Sequence, residues 1–141
     1  MDRFGDFEFT PPRHVWYRSA SHLGMEETSL FLGRTAEVVG DPPFFFLTID
    51  LTEFKGDTPE SRRYASEMFR KLPPRAVAII ADKFVQRNLA KLLFKAISIL
   101  PGGWRQHTAF FKTGDPIEPW FQSMIGKLEV AAERIKREGD S

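Results

Sequence analysis

The 141-residue chain contains no cysteine and only three histidines. Disulfides, thiolate catalysis and cysteine-ligated zinc are therefore excluded. The histidines, His14, His22 and His107, are too scattered along the chain to match metal-binding spacing. A Walker phosphate loop, a Rossmann glycine fingerprint and a serine nucleophile elbow are also absent from the sequence. We therefore expect a non-catalytic protein with neither a metal nor another cofactor.

Neither sign of charge dominates, because 20 Lys and Arg residues oppose 19 Asp and Glu residues, for a formal net charge of +1. This balance argues against electrostatic capture of nucleic acid. No run of about 18 apolar residues is present, so a membrane span is not expected. The start of the chain, MDRFGDFEF, lacks the basic flank and apolar stretch of a signal peptide. We expect a cytoplasmic protein with at most peripheral membrane contact.

Phenylalanine is abundant, with 14 residues, and 42% of the chain is hydrophobic. This composition is typical of a single globular domain, and we place it at residues 1–141 with a core from about residue 5 to residue 137. So many aromatic rings need a well-packed interior, unless some of them face a ligand or a partner.

Strand-like and helix-like segments alternate along the chain, which predicts an α/β fold with a mixed, mostly parallel sheet of about five strands and four helices. The strands after the opening hairpin are continuously apolar, and this pattern predicts burial on both faces. The predicted elements are strands Gly5–Thr10 and His14–Ser19 as a hairpin, helix Met25–Val39, strand Phe44–Asp50, a helix from Thr58, strand Ala76–Ala81, helix Lys83–Leu100, strand Thr108–Phe111, and a last helix capped by Asp115.

The segment from Phe44 to Ser61 carries the strongest functional signal. Its apolar strand ends at Asp50, passes through a polar turn and enters a helix at Thr58. Binding and regulatory groups of α/β folds collect at the carboxyl ends of their strands. The predicted partner-binding residues are Asp50, Thr52, Asp57, Thr58 and Glu60.

This segment and the order of elements resemble the STAS domain of bacterial anti-sigma factor antagonists, within the broader SpoIIAA-like (STAS/SEC14-type) group. The resemblance covers about residues 10 to 125. In that family an Asp-Leu-Ser-like turn precedes an Asp-Ser-Ser-Gly-like helix start, whose serine is phosphorylated by a partner kinase. Asp50-Leu51-Thr52 matches the turn and Asp57-Thr58 stands at the Asp-Ser pair, although the interval is one residue shorter and Pro59-Glu60 replaces Ser-Gly. The resemblance implies a regulatory module with a kinase-like or anti-sigma-like protein partner.

Thr58 admits two interpretations. A threonine followed by proline at the first helical position is a good N-cap. Alternatively, phosphorylation of Thr58, or of Ser61, would add nearly two negative charges beside Asp57 and Glu60 and repel an acidic partner. The second interpretation gives the hypothesis that phosphorylation gates partner binding through this turn.

The predicted helix after Asp82 has a basic and aromatic side, whose members are Lys83, Phe84, Arg87, Lys91, Phe94 and Lys95. Leu89, Leu92 and Leu93 fall on the opposite side, which is the expected core face. A solvated charged face explains the cations alone. The added phenylalanines suit contact with anionic lipid headgroups or with an acidic partner.

The abundance of apolar side chains allows two further kinds of partner, a hydrophobic ligand or a second copy of the chain. The SEC14-like part of the resemblance implies a cavity for a lipid or small hydrophobic ligand, lined by Phe44–Phe46 and Phe110-Phe111, unless these rings pack solidly against helices. The last helix has enough apolar residues to leave Trp120 and Met124 for a second copy of the chain.

A receiver-like phosphoacceptor or an α/β enzyme is the third alternative. Asp50 and Asp82 both follow apolar strands, and Lys112 follows the last one, as a lysine does in response-regulator receivers. Receivers, however, lack an opening hairpin and begin with an acidic pair, which this sequence does not show.

Overall fold

The computed structural model describes residues 5–40, 43–99 and 103–139, and over these residues the chain alternates strands and helices as predicted. The elements are β1 (Gly5–Thr10), β2 (His14–Ser19), β3 (His22–Leu23), α1 (Met25–Val39), β4 (Phe45–Asp50), β5 (Gly56–Asp57), α2 (Pro59–Lys71), β6 (Arg75–Ile80), α3 (Phe84–Ile99), a 3₁₀ helix (Gly103–Arg105), β7 (Gln106–Phe111) and α4 (Glu118–Gly139). The hairpin and α1 have the predicted bounds. The predicted end of α3 at Leu100 lies outside the described residues.

The main sheet has five strands in the order β1-β2-β4-β6-β7. Strand β1 pairs antiparallel with β2, and the other neighbours pair in parallel. The sheet is therefore mixed and mostly parallel, as predicted. Because β2, β4, β6 and β7 run the same way, their carboxyl ends meet at one edge and their amino ends at the other.

The side chains of the sheet alternate between two cores. On one face, Tyr17 stacks on Phe31 of α1 with ring centroids 4.0 Å apart, within a core closed by α1, α2 and α3. On the other face, Phe46 stacks on Phe121 of α4 at 4.7 Å. The sheet thus lies between helices on both sides, which explains why β4 is buried along its whole length.

Two predictions about the last strand and helix were wrong. Strand β7 is half-buried, not buried as predicted for Thr108–Phe111, because it lies at the edge of the sheet. The last helix begins at Glu118, whereas Asp115 closes the preceding turn by accepting a hydrogen bond from the Lys112 amide at 2.8 Å. In the first turn of the helix, the amides of Trp120 and Phe121 instead donate to the carbonyl of Ile117 at 3.0 and 3.2 Å.

Candidate functional site

The turn after β4 is built around Asp50, which is only 7% exposed. Its Oδ1 accepts hydrogen bonds from the Thr52 amide at 2.9 Å and the Thr52 hydroxyl at 2.7 Å. Its Oδ2 accepts a longer bond of 3.4 Å from Nε of Arg18. Both carboxylate oxygens of Asp50 therefore accept hydrogen bonds from within the chain. The buried Asp50 supports the turn, and its bonds hold Thr52 in place beside it.

The rest of this turn is tied to the segment after β2. The amide of Lys55 donates to the carbonyl of Ser21 at 2.7 Å, and β5 then pairs in parallel with β3. The Asp57 carboxylate accepts two hydrogen bonds from Arg62, at 2.8 and 3.2 Å. A bidentate arginine–carboxylate pair of this kind holds both side chains in one geometry and also pairs their charges. The charge of Asp57 is consequently already balanced by Arg62 of α2.

Thr58 is the N-cap of α2, as predicted. Its Oγ1 accepts a hydrogen bond from the Ser61 amide at 3.0 Å, and Oγ of Ser61 accepts one from the Thr58 amide at 3.2 Å. The Ser61 hydroxyl also lies 2.9 Å from the carbonyl of Leu23 and donates into the protein. Ser61 is 1% exposed, so in this conformation its hydroxyl is not accessible to a kinase, and Thr58 is the better placed of the two predicted phosphoacceptors. Thr58 and Glu60, in contrast, are exposed.

Gln86 of α3 holds the turn from the other side. Its Nε2 donates to the carbonyls of Thr52 and Phe54, both at 3.1 Å, and its Oε1 accepts from the amide of Lys83. The side chain is buried, with 4% exposure. Sequence reasoning missed this residue because a glutamine on a helix carries no local signal and its bond to Thr52 spans 34 residues.

An apolar pair stands beside this fixed turn. Phe84 is 78% exposed and Val85 is 65% exposed, and both belong to the first turn of α3. A shallow groove of about 250 Å³ separates the start of α3 from the turn. We call this region the strand-end surface and define it by Thr52, Glu53, Lys55, Lys83, Phe84 and Val85. The exposure of Phe84 was predicted, and that of Val85 was not.

The predicted basic and aromatic side of α3 is not one continuous face. Phe94 is 7% exposed and packs edge-on against Phe69 of α2 at 5.7 Å, so its predicted exposure was wrong. Ten residues of helix turn through about 1000°, which leaves Phe94 about 80° away from Phe84 and toward the core. Leu92, predicted to be buried, lies off the core face and is 61% exposed.

The predicted cations of α3 differ in their surroundings. Lys83 and Lys95 are exposed. Arg87 turns back to donate to the carbonyl of Ala81 at 3.3 Å, and the ammonium of Lys91 lies 5.7 Å from the ring centre of Phe110. The start of α3 therefore places an exposed cation, Lys83, beside the two exposed apolar side chains of Phe84 and Val85.

The phenylalanines of the strands mostly pack against other side chains, and Phe44 also borders an open groove of about 440 Å³. Phe46 packs against α4, and the guanidinium of Arg13 covers the ring of Phe44 at 4.2 Å. On the opposite face, an apolar cavity of about 60 Å³ lies among residues that include Phe31, Phe54 and Phe69. Small-molecule sites typically measure about 300–1,000 Å³, so this space is too small for a lipid.

The second strand-end carboxylate, Asp82, joins two loops. It accepts hydrogen bonds from the amide and hydroxyl of Thr113 at 2.8 and 2.7 Å. These bonds lower the pKa of Asp82 below its usual value, and Lys112 contributes further in the same direction. Across the described residues, no three His, Asp or Glu side chains form a group able to hold a metal ion.

Comparison of the sequence with protein-family profiles and with curated proteins gives no match. The fold, however, is similar to the crystal structure of an uncharacterized protein of the DUF3478 family with a SpoIIAA-like fold, from Shewanella loihica PV-4. The TM-score is 0.55, and the match covers 83% of this chain and 91% of that one. The chain has a SpoIIAA-like fold. At 17% sequence identity the likeness shows the fold alone.

The SpoIIAA-like fold agrees with the architecture predicted from the sequence, including the opening hairpin and the helix that starts after Thr58. Within the parts of the chain that are described, no helix combines the length and apolarity needed to cross a bilayer.

Proposed function

We propose that this SpoIIAA-like domain is a non-catalytic bacterial regulatory module that binds a protein partner through the strand-end surface. The observation that carries the proposal is the exposure of Phe84, 78%, and Val85, 65%, beside a turn fixed by buried Gln86. Adjacent large apolar side chains on a rigid support are typical of interface anchors. The SpoIIAA-like fold and the resemblance of the turn to that of anti-sigma factor antagonists support the same class of function.

The charges around the apolar pair favour an acidic partner. Lys55 and Lys83 are exposed on the strand-end surface, and Glu53 is its one exposed acid. Polar rims of this kind steer encounter and choose the partner, while the apolar centre provides most of the binding energy. We infer a partner with an apolar pocket and an acidic rim.

Thr58 is the candidate control point of this surface. Its side chain is exposed at the end of the same turn, and Arg62 neutralises the neighbouring Asp57. A phosphate on Thr58 would be stabilised by the positive amino terminus of the α2 dipole, but it would add nearly two negative charges to the surface. Phosphorylation at Thr58 would therefore weaken binding to an acidic partner, and this weakening is the proposed switch.

Phe84→Ser is expected to weaken partner binding by at least about tenfold while leaving the fold intact, because hot-spot anchors are worth about 2 kcal/mol or more. The partner is identified by affinity capture from the native host, and its dissociation constant is then measured with purified components. Leu92→Ser is the matched control, since Leu92 is similarly exposed on the same helix but lies outside the strand-end surface. Equal binding by the parent and Phe84→Ser would refute the proposal. Loss of binding to anionic vesicles, with no effect on protein binding, would instead identify a membrane surface.

Thr58→Glu is expected to weaken the same complex by about fivefold or more at low salt, with a smaller loss at high salt because the added charge is then screened. Thr58→Asn serves as the control, because asparagine caps a helix as well as threonine but adds no charge. Intact-mass measurement of protein from the host would show whether Thr58 carries phosphate. Unchanged affinity of Thr58→Glu would eliminate the switch without affecting the assignment of the surface.

A further inference from the structure

A second concave region lies at the amino ends of the parallel strands, on the edge opposite the strand-end surface. It is a cleft of about 590 Å³ between the start of β6, the 3₁₀ helix and the carboxyl-terminal half of α4. Three cations line it, Lys71, Arg105 and Lys136, with Glu133 as the one acid among the described lining residues. Prolines and Ile135 form its apolar walls. Both volume and composition fit a site for a small ligand that carries an anionic group.

Arg75 lies directly behind one wall of this cleft and is fully buried, with 0% exposure. Its guanidinium donates to Gln106 at 2.7 Å and to the carbonyls of Leu72 and Pro73 at 3.2 and 3.0 Å. Pro73 is itself part of the cleft wall. The remaining nitrogen, Nη2, is buried without a hydrogen-bond partner, and no carboxylate among the described residues forms an ion pair with Arg75.

Arg105, which lines the cleft, resembles Arg75 in having a guanidinium nitrogen without a hydrogen-bond partner. Its Nε is also buried without a hydrogen-bond partner. Burial, together with the nearby charge of Arg105, lowers the pKa of Arg75 to about 9, so the Arg75 guanidinium remains charged at neutral pH. Two neighbouring cations held partly out of water, neither of them in an ion pair with a carboxylate among the described residues, are costly for the fold. A bound anion would remove this cost.

We propose that the cleft binds the phosphate group of a small phosphorylated ligand, with Arg105, Lys71 and Lys136 contacting the phosphate and Arg75 reinforcing their charge from behind. Arginine suits this role because its planar nitrogens match the geometry of phosphate oxygens. The apolar walls of the cleft would contact the organic part of the ligand. This inference is independent of the proposed protein partner, since the two surfaces lie at opposite edges of the sheet.

Titration calorimetry with inorganic pyrophosphate at low salt tests the proposal. Arg105→Gln and Lys136→Gln are each expected to weaken binding about tenfold, because each removes a charge-assisted contact. Glu133→Gln is expected to strengthen binding about threefold, since it removes the acid from the cleft. Lys127→Gln is the matched control and should bind like the parent, because Lys127 is exposed on the same helix but outside the cleft.

A second arm separates the sources of the phosphate group. Vesicles of phosphatidylcholine with phosphatidic acid present the same group on a membrane. Binding of pyrophosphate with the stated pattern of variants supports a free small ligand. Binding of the vesicles alone would overturn the small-ligand proposal in favour of a lipid headgroup. Binding of neither probe, or equal losses in Lys127→Gln and Arg105→Gln, would overturn the site.

Discussion

Replacement of Phe121 by alanine is expected to lower the free energy of unfolding by about 3–5 kcal/mol, the usual cost of truncating a buried phenylalanine. Phe121 is 0% exposed and stacks on Phe46 at 4.7 Å. It also contacts the ring of His14 edge-on at 5.1 Å. Among the described helices only α4 covers this face of the sheet. The cavity left by Phe121→Ala would therefore loosen the whole layer, since domains of this kind have only about 5–15 kcal/mol of stability.

Phe84→Ala is the matched control for this prediction and is expected to change the same free energy by less than about 0.5 kcal/mol. The residue removed is identical, but Phe84 is 78% exposed. Urea unfolding followed by circular dichroism would measure both variants. Similar losses of stability in the two would show that Phe84 packs against the protein, which would also remove the main support for the strand-end surface as an interface.

The contrast between these two phenylalanines shows that composition predicts a packed interior but does not predict which aromatic residues form it. An abundance of aromatic rings predicted a packed interior or a partner, and the structure uses most of them in the interior. The hairpin and α1 were predictable because local signals, such as the proline turn and Gly40, mark their ends. The rotation of α3 was not predictable, because Phe84, Leu92 and Phe94 are all apolar and only packing against α2 decides which of them is buried.

The same limit applies to the two surfaces. The cap at Thr58 was predicted from adjacent residues, because Pro59 follows it at the first helical position, and the amide that it caps, that of Ser61, lies only three residues away. The cations of the amino-end cleft come from separate elements, including Lys71 of α2, Arg105 of the 3₁₀ helix and Lys136 of α4, so no local pattern joins them. Contacts between segments that are distant in the sequence determine which residues come together on each surface. Such contacts leave no periodic pattern in the sequence.

Gln86→Ala is expected to destabilise the protein by about 2–3 kcal/mol, because the carbonyls of Thr52 and Phe54 both lose their donor in a largely buried setting. The effect should concentrate in the turn after β4. The amides of Lys55 and Gly56, which donate to the carbonyl of Ser21, are expected to exchange with solvent faster. Partner binding should weaken as well, because a mobile turn must be ordered again when the complex forms.

Hydrogen exchange followed by mass spectrometry, together with urea unfolding, would measure these effects. Gln122→Ala is the control, since Gln122 lies on the exposed side of α4 and bonds only to Glu118 among the described side chains. Gln86→Glu keeps the size of the side chain but turns a carboxylate toward two carbonyls, so it should be at least as damaging as alanine. Unchanged exchange at Lys55 and Gly56 in Gln86→Ala would mean that the pairing of β3 with β5 fixes the turn by itself. In that case the rigidity of the strand-end surface would come from the backbone, and α3 would contribute only its exposed apolar pair.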